Sequence, residues 1–596
     1  VQDPVIQNID RPTVPVKSND LAWKSDVAAE LLRRSKIPFV VLNPGASYRG
    51  LHDSLVNYLG NTAPQMLLCL NEDHVVSIAH GYAKATDQPL ACVLHSNVGL
   101  MHGLMGIFNA WADRVPMLIL GATGPVQPEK RRPWIDWIHT AKDQGALLRH
   151  YVKWDDEPRS VHGVIESMTR ALQMTTSAPK APVYVCLDAG LQEEPIADAI
   201  DIPDFDRFAA PDAPCGTPAD IAEVADMVAA AKHPVFLIGR GSRQQLHWDR
   251  RVELAETAGA AVITSLRERA VFPTSHAQHI SPPSGWMTAG AKAAIKDADL
   301  IVSFDWVDLN GYLQQFDRKT HRLGARIVHV SLDSILHNGW SMDHFAPVAA
   351  DRHVMADADA FIEQLLPAIK SRLGKPRAPW LKGGPATPRG FSDDAEKELI
   401  PHDIEALLTE LQKQHPITLA HTVIGWASTD LPMSGPLDYL GHDGGAGLAA
   451  GPGLTIGAAL ALHDTGRIVV GVLGDGDFLQ GATALWTAAH YSVPCLFIVS
   501  NNRSNFNDEV HQETVAKTRG RPVENRWVGQ RIDDPAVDLA AIARAQGVDA
   551  IGPVQTLSEL RDAVNQGLDA VKSGKPFFID ARVKPGYANI IVSRHG

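Results

Sequence analysis

Apolar residues along this chain gather in short runs rich in Val, Ile and Leu, and the runs alternate with longer stretches of helical spacing. PFVVLN, QMLLCL, LACVLHS, PMLILGA and PVYVCLDA come first, with segments such as DHVVSIAHGYAKAT between them. PVFLIG, AAVIT, DLIVSF and RIVHVSLD follow, and then ITLAH, RIVVGVLGDGD, PCLFIVSNN and PFFIDARV. Gly, Pro or Asn bounds most of these runs, as expected of strand ends. Strands that are apolar almost throughout must be buried on both faces, so the pattern predicts α/β architecture with parallel sheets covered by helices.

Two polar, proline-bearing stretches, EEPIADAIDIPDFDRFAAPDAPCGTPAD (193–220) and KSRLGKPRAPWLKGGPATPRGFSDD (370–394), interrupt the alternation. Their composition is that of inter-domain linkers. The expectation is therefore three doubly wound parallel-sheet domains, over 20–195, 210–370 and 400–590, with an N-terminal arm at 1–19 and a linker at 371–399. The outer two also echo each other: AWADRVPMLILG (110–121) and LWTAAHYSVPCLFIVS (485–500) each read as a Trp-bearing helix, Val-Pro, then a buried strand.

Composition narrows the function. The chain has 596 residues, and its 55 basic and 68 acidic side chains leave a formal charge of −13. Such a surface is ill suited to wrapping nucleic acid or coating an anionic membrane. No apolar run is long enough to span a bilayer. Five scattered cysteines without a Cys-x-x-Cys pair point away from disulfides and zinc and toward a reducing compartment. With no basic-then-apolar start, a cytoplasmic location is the expectation.

The chemistry concentrates in VVGVLGDGDFLQ, where Gly474-Asp475-Gly476 closes one apolar strand, and in PCLFIVSNN, where Asn501-Asn502 closes the next. In a parallel sheet the carboxyl ends of neighbouring strands lie side by side, where ligands bind. Asp475 and Asn502 would then offer a carboxylate and an amide oxygen, hard ligands that suit Mg²⁺ completed by phosphate and water. The two glycines allow close backbone approach, and a helix N-terminus behind them favours a diphosphate.

This pair resembles the diphosphate and Mg²⁺ signature of thiamine diphosphate (ThDP)-dependent enzymes. The chain is similar to the group that contains acetolactate synthase, benzoylformate decarboxylase and benzaldehyde lyase. VLNPGAS (41–47), LNEDHVVSIAHGYAKAT (70–86), LHSNVG (94–99) and FNAWADRVPMLIL (108–120) match that family's pyrimidine-binding domain in order. The resemblance implies a pyrimidine-binding, a central and a diphosphate-binding domain. It makes Asp475, Asn502 and the Ser504 carbonyl the metal ligands, with Gly474, Gly476, His421 and Thr422 beside the diphosphate. Asp477 departs from the small residue usual after GDG, and an extra anion there must point away, bind the metal through water or be balanced. The glycine-rich segment 441–462 matches the part that holds the cofactor bent, with Ala450 at the supporting position, or Leu448 or Leu454 if the register slips.

By the same resemblance Glu72 is the catalytic glutamate. A carboxyl bonded to N1′ of the pyrimidine favours the imino tautomer that removes the C2 proton, and the resulting ylide makes the cofactor an electron sink. The alternative is that Glu72 merely caps the helix that starts near Asp73. His95 is a candidate proton shuttle or a strand-end histidine bonded to backbone. Ser47, His139 and Thr140 fall where relatives line the substrate pocket. Asp508, with Glu509 beside it, is either a proton donor or part of a solvated helix face.

These residues imply a non-oxidative enzyme that cleaves or forms a bond beside a carbonyl: a 2-oxo acid decarboxylase, or a 2-hydroxyketone or 2-hydroxyacyl lyase with carboligase activity. The alternatives are an acetolactate synthase-like transferase and a catalytically silent paralogue. Substrates are small molecules, and an acyl-CoA stays open through the basic residues of VAKTRGRPVENR (515–526). The central block lacks a complete G-x-G-x-x-G, so FAD is not expected. In the family the glutamate and the metal ligands come from different subunits, which implies a homodimer at minimum, or a homotetramer.

Overall fold

The computed structural model describes residues 6, 9–14, 20–316, 323–336, 344, 346–384, 394–426 and 432–586. Of the expected arm, residues 1–5, 7, 8 and 15–19 lie outside the described residues, as do 385–393 of the expected linker and 587–590 of the third block.

Three sheets form, and every strand pair in them is parallel. The first contains β1 (Phe39–Leu42), β2 (Gln65–Leu68), β3 (Ala91–Val93), β4 (Met117–Thr123), β5 (Asp155–Asp156) and β6 (Pro182–Asp188) in the order β2-β1-β3-β4-β6-β5. The second holds β7 (Pro234–Ile238), β8 (Ala261–Thr264), β9 (Leu300–Phe304), β10 (Arg326–Val330) and β11 (Arg352–Val354), ordered β11-β10-β9-β7-β8. The third holds β12 (Ile417–His421), β13 (Ile468–Gly474), β14 (Leu496–Asn501), β15 (Asp549–Val554) and β16 (Phe577–Arg582), ordered β12-β13-β14-β16-β15. A single parallel bridge from Leu419 to Tyr439 stands where a further strand would extend the third sheet. With it, the third sheet repeats the strand order of the first. The Trp-bearing helices of both blocks lead into corresponding strands, β4 and β14.

The strands missed by the hydrophobic pattern, β5, β11 and β15, all lie at sheet edges. Their residues are mostly half-buried or exposed, whereas β4, β6, β7 and β9 are buried throughout. These three strands are covered incompletely and leave no continuous apolar run, whereas the opposite edges, β2, β8 and β12, are buried and do.

Helix Ala450–Leu462 is apolar all round and almost wholly buried, as a helix without a polar face must be. It crosses helix Glu72–Thr86 of the first domain at glycines. A Cβ at Gly81 would lie 2.1 Å from the Leu454 carbonyl oxygen, and one at Gly457 would lie 1.9 Å from that of Ile78. Glycine is therefore what lets the two backbones touch. Buried Arg243 of the central domain ties all three domains together, donating to the carbonyls of Lys84 (2.7 Å), Pro436 (2.8 Å) and Leu440 (3.2 Å). The segment after helix Ala358–Leu373 is pinned to the central domain, with Trp380 Nε1 donating to the Pro234 carbonyl (2.8 Å) and the Gly383 amide to that of Ala277 (2.8 Å).

Candidate active site

The direction in which successive strands are added reverses within each outer sheet, between β1 and β3 in the first and between β12 and β13 in the third. Crevices at such switch points hold ligands in open α/β sheets. Ser47 and His95 follow the two strands of the first switch point, and at the second His421 closes β12 and Asp475 follows β13.

In the third domain, β13 and β14 run in register with Gly474 opposite Ser500, so Asp475 and Asn502 leave neighbouring strands. Arg503 takes a left-handed conformation (φ 58°) and turns the chain back. The Ser504 amide then donates to both Asp475 Oδ2 (3.1 Å) and Asn502 Oδ1 (3.0 Å), so the two oxygens converge on one donor. Asp475 Oδ1 accepts from the Gly476 amide (2.8 Å). Asn501 has a different job: its Nδ2 donates to Asp580 Oδ1 (2.8 Å) on β16 and secures the strand. Burial pushes the Asp475 carboxyl up to about 6, against the pull of the backbone N–H groups around it. A divalent cation would supply the missing charge. Among the described residues no cluster of three or more His, Cys, Asp or Glu could hold a metal. The donors here are instead one carboxylate, one amide oxygen and backbone, which fits Mg²⁺ finished by phosphate and water.

Asp477 is buried and turned away from Asp475. Its Oδ1 accepts from the Ala449 amide (2.8 Å), at the start of helix Ala450–Leu462. Its Oδ2 lies 3.9 Å from His421 Nε2, which stands equally far from Asp443 Oδ2. His421 Nδ1 bonds the Val472 carbonyl (2.9 Å). Burial opposes a charge on His421, but the Asp443 and Asp477 carboxylates win and raise it to about 9. Burial raises Asp477 as well, and the facing His421 opposes that rise, so an imidazolium there is placed to balance the extra anion. Thr422 is buried just beyond β12, and buried Ala450 is the first residue of its helix. Leu448 is 42% exposed and Leu454 is buried.

In the first domain Glu72 opens helix Glu72–Thr86, but the cap is Asn71, whose side chain accepts from the Asp73 amide (2.9 Å). The capping role left open by the sequence is therefore filled by a neighbour. Glu72 is buried against helix Ser96–Ala112: Oε1 rests on Gly99, where a Cβ would lie 2.5 Å away, and Oε2 is 3.4 Å from His102 Nδ1.

Ser47, His95 and His139 come together. Ser47 Oγ is 2.9 Å from His95 Nδ1 and accepts from the Ser96 amide (3.1 Å). The His95 and His139 rings meet edge to face at 4.7 Å. Gly45 makes room for His95, since a Cβ there would lie 2.5 Å from the ring. Burial lowers the His95 pKa and His139 lowers it further, only partly offset by Glu72, which keeps the imidazole neutral near pH 7. Thr140 is exposed, its hydroxyl bonded back to the Asp136 carbonyl (2.6 Å).

Asp508 is exposed on the first turn of helix Phe506–Thr518, and Glu509 is buried. Glu509 Oε1 accepts from Ser504 Oγ (2.5 Å), with Arg526 and Arg531 at 3.7 and 3.6 Å, so it braces the Ser504 loop. His102, Gly99 and Asp443 escaped the sequence reading. The i, i+3 spacing of Gly99 and His102 on a helix that follows the LHSNVG motif was the available signal for two of them.

With this geometry in hand, comparison with known proteins identifies the class. Residues 23–147 match the N-terminal TPP binding domain of thiamine pyrophosphate enzymes, 221–365 their central domain and 421–581 their C-terminal TPP binding domain. The chain belongs to the thiamine pyrophosphate enzyme family, and its cofactor is thiamine diphosphate. It is 28% identical over 557 residues to benzoylformate decarboxylase of Pseudomonas aeruginosa, covering 91% of this chain and 96% of that one. It is 24% identical over 576 residues to the acetolactate synthase large subunit of Parasynechococcus marenigrum, covering 94% and 87%. Among solved structures, benzoylformate decarboxylase from Polynucleobacter necessarius shares the fold at a TM-score of 0.77 and 20% identity, covering 95% of this chain and 99% of that one. The thiamine diphosphate-dependent 4-hydroxybenzoylformate decarboxylase of Rhodococcus jostii RHA1 does so at 0.73 and 22%, covering 95% and 100%.

Proposed function

We propose that this chain is a ThDP- and Mg²⁺-dependent 2-oxo acid decarboxylase with carboligase capacity. The observation that carries this is the convergence of Asp475 Oδ2 and Asn502 Oδ1 on the Ser504 amide, in a chain that also buries Glu72 in the first domain, at the start of the helix after β2. Asp475, Asn502 and the Ser504 carbonyl would hold the metal, and Gly474, Gly476 and Thr422 would flank the diphosphate. Ala450 would support the bent cofactor, and Glu72 would hold the pyrimidine ring. When bound, thiamine diphosphate supplies an electron sink beside the scissile bond.

The remaining work falls to this chain's own side chains. Ser47 fixes the His95 ring, and a neutral imidazole there can accept or return a proton at the substrate carbonyl near pH 7. His139 walls the same pocket. Thr140 and Asp508 are exposed, whereas His95 is half-buried and bonded to Ser47, so His95 is the preferred proton carrier. Decarboxylation is favoured because the benzoylformate decarboxylase relative is similar over nearly its whole length. The acetolactate synthase relatives keep condensation of two 2-oxo acids as the second reading. A CoA ester is less favoured, because two of the four basic residues of 515–526, Lys517 and Arg526, are paired to Glu513.

The central domain serves structure and subunit contact. In support, its switch-point crevice is filled by Arg240 bound to Asp305 (3.1 Å) and Asp333 (2.6 Å), with Arg114 of the first domain on Asp333 (2.8 Å). A homodimer, or a tetramer of two, is supported by the exposed apolar side chains Val98, Met101 and Met105 on the helix that encloses Glu72. The five free cysteines suit a cytoplasmic setting.

A substrate screen with ThDP and Mg²⁺ tests the reaction. Benzoylformate should release CO₂ faster than pyruvate yields acetolactate, and 2-hydroxyacyl-CoA esters should be inert. Acetolactate as the main product would replace decarboxylase with synthase.

A further inference from the structure

β4 neighbours β3, and the segment that follows it, 124–140, brings the His139 ring onto His95. This segment is tied down along its length. Arg131 donates from Nε to the Pro125 carbonyl (2.9 Å) and from Nη2 to that of Val126 (2.7 Å). Thr140 Oγ1 donates to the Asp136 carbonyl (2.6 Å), and Asn97, two residues past His95, donates from Nδ2 to the Ile138 carbonyl (3.3 Å). Between these ties Trp134 takes φ 69° and ψ −54°, and the Ile135 amide donates to the Pro133 carbonyl (2.8 Å). That is a γ-turn of the rare, strained hand. Ser96, next to His95, is also strained, at φ 35°. Backbone strain held by its surroundings gathers at functional sites, and here it flanks one pocket from two elements.

The strained turn holds Arg132. Asp136 is buried against Gly124, where a Cβ would lie 3.1 Å from the Asp136 Cβ. Its carboxylate accepts from the Arg132 amide (2.7 Å), from Nη2 (2.7 Å) and from Nε (3.3 Å). One edge of the guanidinium is thereby fixed, and Nη1 has no partner among the described residues. Burial and His139 lower the His95 imidazole most, and the Arg132 charge adds to them. Asp136 and then Glu193 raise the guanidinium in turn. Glu193 pairs with Arg49 (2.5 Å), two residues past Ser47, and its neighbour Gln192 donates to the Ser47 carbonyl (3.2 Å). Arg132 thus stands within electrostatic range of both His95 and the Ser47 loop.

We propose that Arg132 sets the specificity of this pocket, and that the substrate is a 2-oxo acid with a second carboxylate at its far end, held by the open edge of the guanidinium. Asp136 takes Nε and one Nη2 proton, so Nη1 and the other Nη2 proton form an end-on fork, the shape that suits a carboxylate. The carboxylate that leaves as CO₂ is the wrong partner. Holding its charge would favour the ground state over the transition state from which that charge departs. This inference rests on the decarboxylase reading and names the kind of acid it takes.

The test uses two pairs of acids that differ in the far carboxylate: 2-oxopentanoate with 2-oxopentanedioate, and benzoylformate with 4-carboxybenzoylformate. Wild type, Arg132→Gln and Arg132→Lys, each loaded with ThDP and Mg²⁺, are compared by kcat and KM for CO₂ release. In at least one pair, wild type should prefer the diacid by about 10- to 100-fold in kcat/KM, with the difference carried by KM. Arg132→Gln should bring that ratio close to unity. Arg132→Lys, a cation without the fork, should restore only part of it. The ratio is the readout because a variant that merely loosens the fold slows both acids alike. Equal kcat/KM within both pairs in wild type, or a preference that survives Arg132→Gln, overturns the anchor. No CO₂ from any of the four acids overturns the decarboxylase reading instead. Calorimetric binding of the same acids to the loaded wild type and Arg132→Gln then decides the anchor alone: a diacid preference lost in the variant supports it, and equal affinities refute it.

Discussion

Gly99→Ala separates the fold of this enzyme from its chemistry. The new Cβ would stand 2.5 Å from Glu72 Oε1, 3.0 Å from its Cδ and 3.1 Å from its Cγ. Ordinary contact between non-bonded heavy atoms begins near 3.5 Å, so the carboxyl must retreat by roughly 1 Å. What it meets is the end of a side chain, so the backbone can stay in place. The retreat forces an unfavourable rotamer at about 0.5–1.5 kcal/mol. Alanine in place of a helical glycine returns about 1 kcal/mol. Stability should thus change little. Catalysis should not be spared, because a 1 Å misplacement of a catalytic group costs about 100-fold, or about 2.7 kcal/mol of transition-state stabilisation. Steady-state decarboxylation gives kcat and KM, fluorescence titration gives ThDP affinity, and the temperature of half-inactivation reports the fold. The expected result is a fall in kcat with cofactor binding and heat resistance retained. Wild-type kcat would show that the seat of Glu72 on Gly99 is unimportant. A large loss of heat resistance would make Gly99 a packing residue instead.

Asp475→Ala should weaken ThDP binding at least about 100-fold and abolish its dependence on Mg²⁺, with Asn502→Ala showing a milder form; titration of the apoenzyme with and without Mg²⁺ decides, and equal affinity in Asp475→Ala refutes the metal site. Gly457→Ala should cost about 1–3 kcal/mol or more, because its Cβ would meet the Ile78 carbonyl oxygen at 1.9 Å and the Tyr82 amide nitrogen at 2.7 Å, both backbone; a variant as heat-resistant as wild type would contradict the close helix crossing. His421 is raised from its ordinary 6.5 to about 9, so the stability it contributes is complete below pH 6.5 and is lost as pH climbs through 9. Denaturant unfolding from pH 6 to 10 should show that slope in wild type and not in His421→Asn, and parallel curves would refute the ion balance at Asp477.

The parts of the fold that were legible in sequence are those buried on both sides. β4, β6, β13 and β14 are unbroken apolar runs because helices cover both faces, and the motifs closing β13 and β14 pointed to two residues, Asp475 and Asn502, that the fold brings onto one amide. The edge strands β5, β11 and β15 carry no such signature. Side-chain direction was illegible as well. Asp475 and Asp477 are two residues apart and both buried, yet one faces the Ser504 loop and the other faces Ala449 and His421. Adjacent Asp508 and Glu509 divide likewise into an exposed residue and a buried brace. Which of two neighbours is useful depends on the partners that tertiary packing supplies, and those partners, Ser504 and His421 among them, are distant in the chain.

The matching strand order of the two outer sheets bears on how such an enzyme can diversify. His95 stands where β3 passes into its helix, and Asp475 stands where β13 passes into its own. These are the same corner of the same scaffold, to which the proposed function gives a proton carrier in one copy and a metal ligand in the other. Because each copy keeps its own corner, the substrate-facing one can be rewritten while the metal-facing one is held constant. Substitutions around Ser47, His95 and His139 are therefore a route to new substrates that leaves cofactor loading intact, and a library restricted to those positions should yield variants that differ in the 2-oxo acid they accept while sharing one affinity for ThDP.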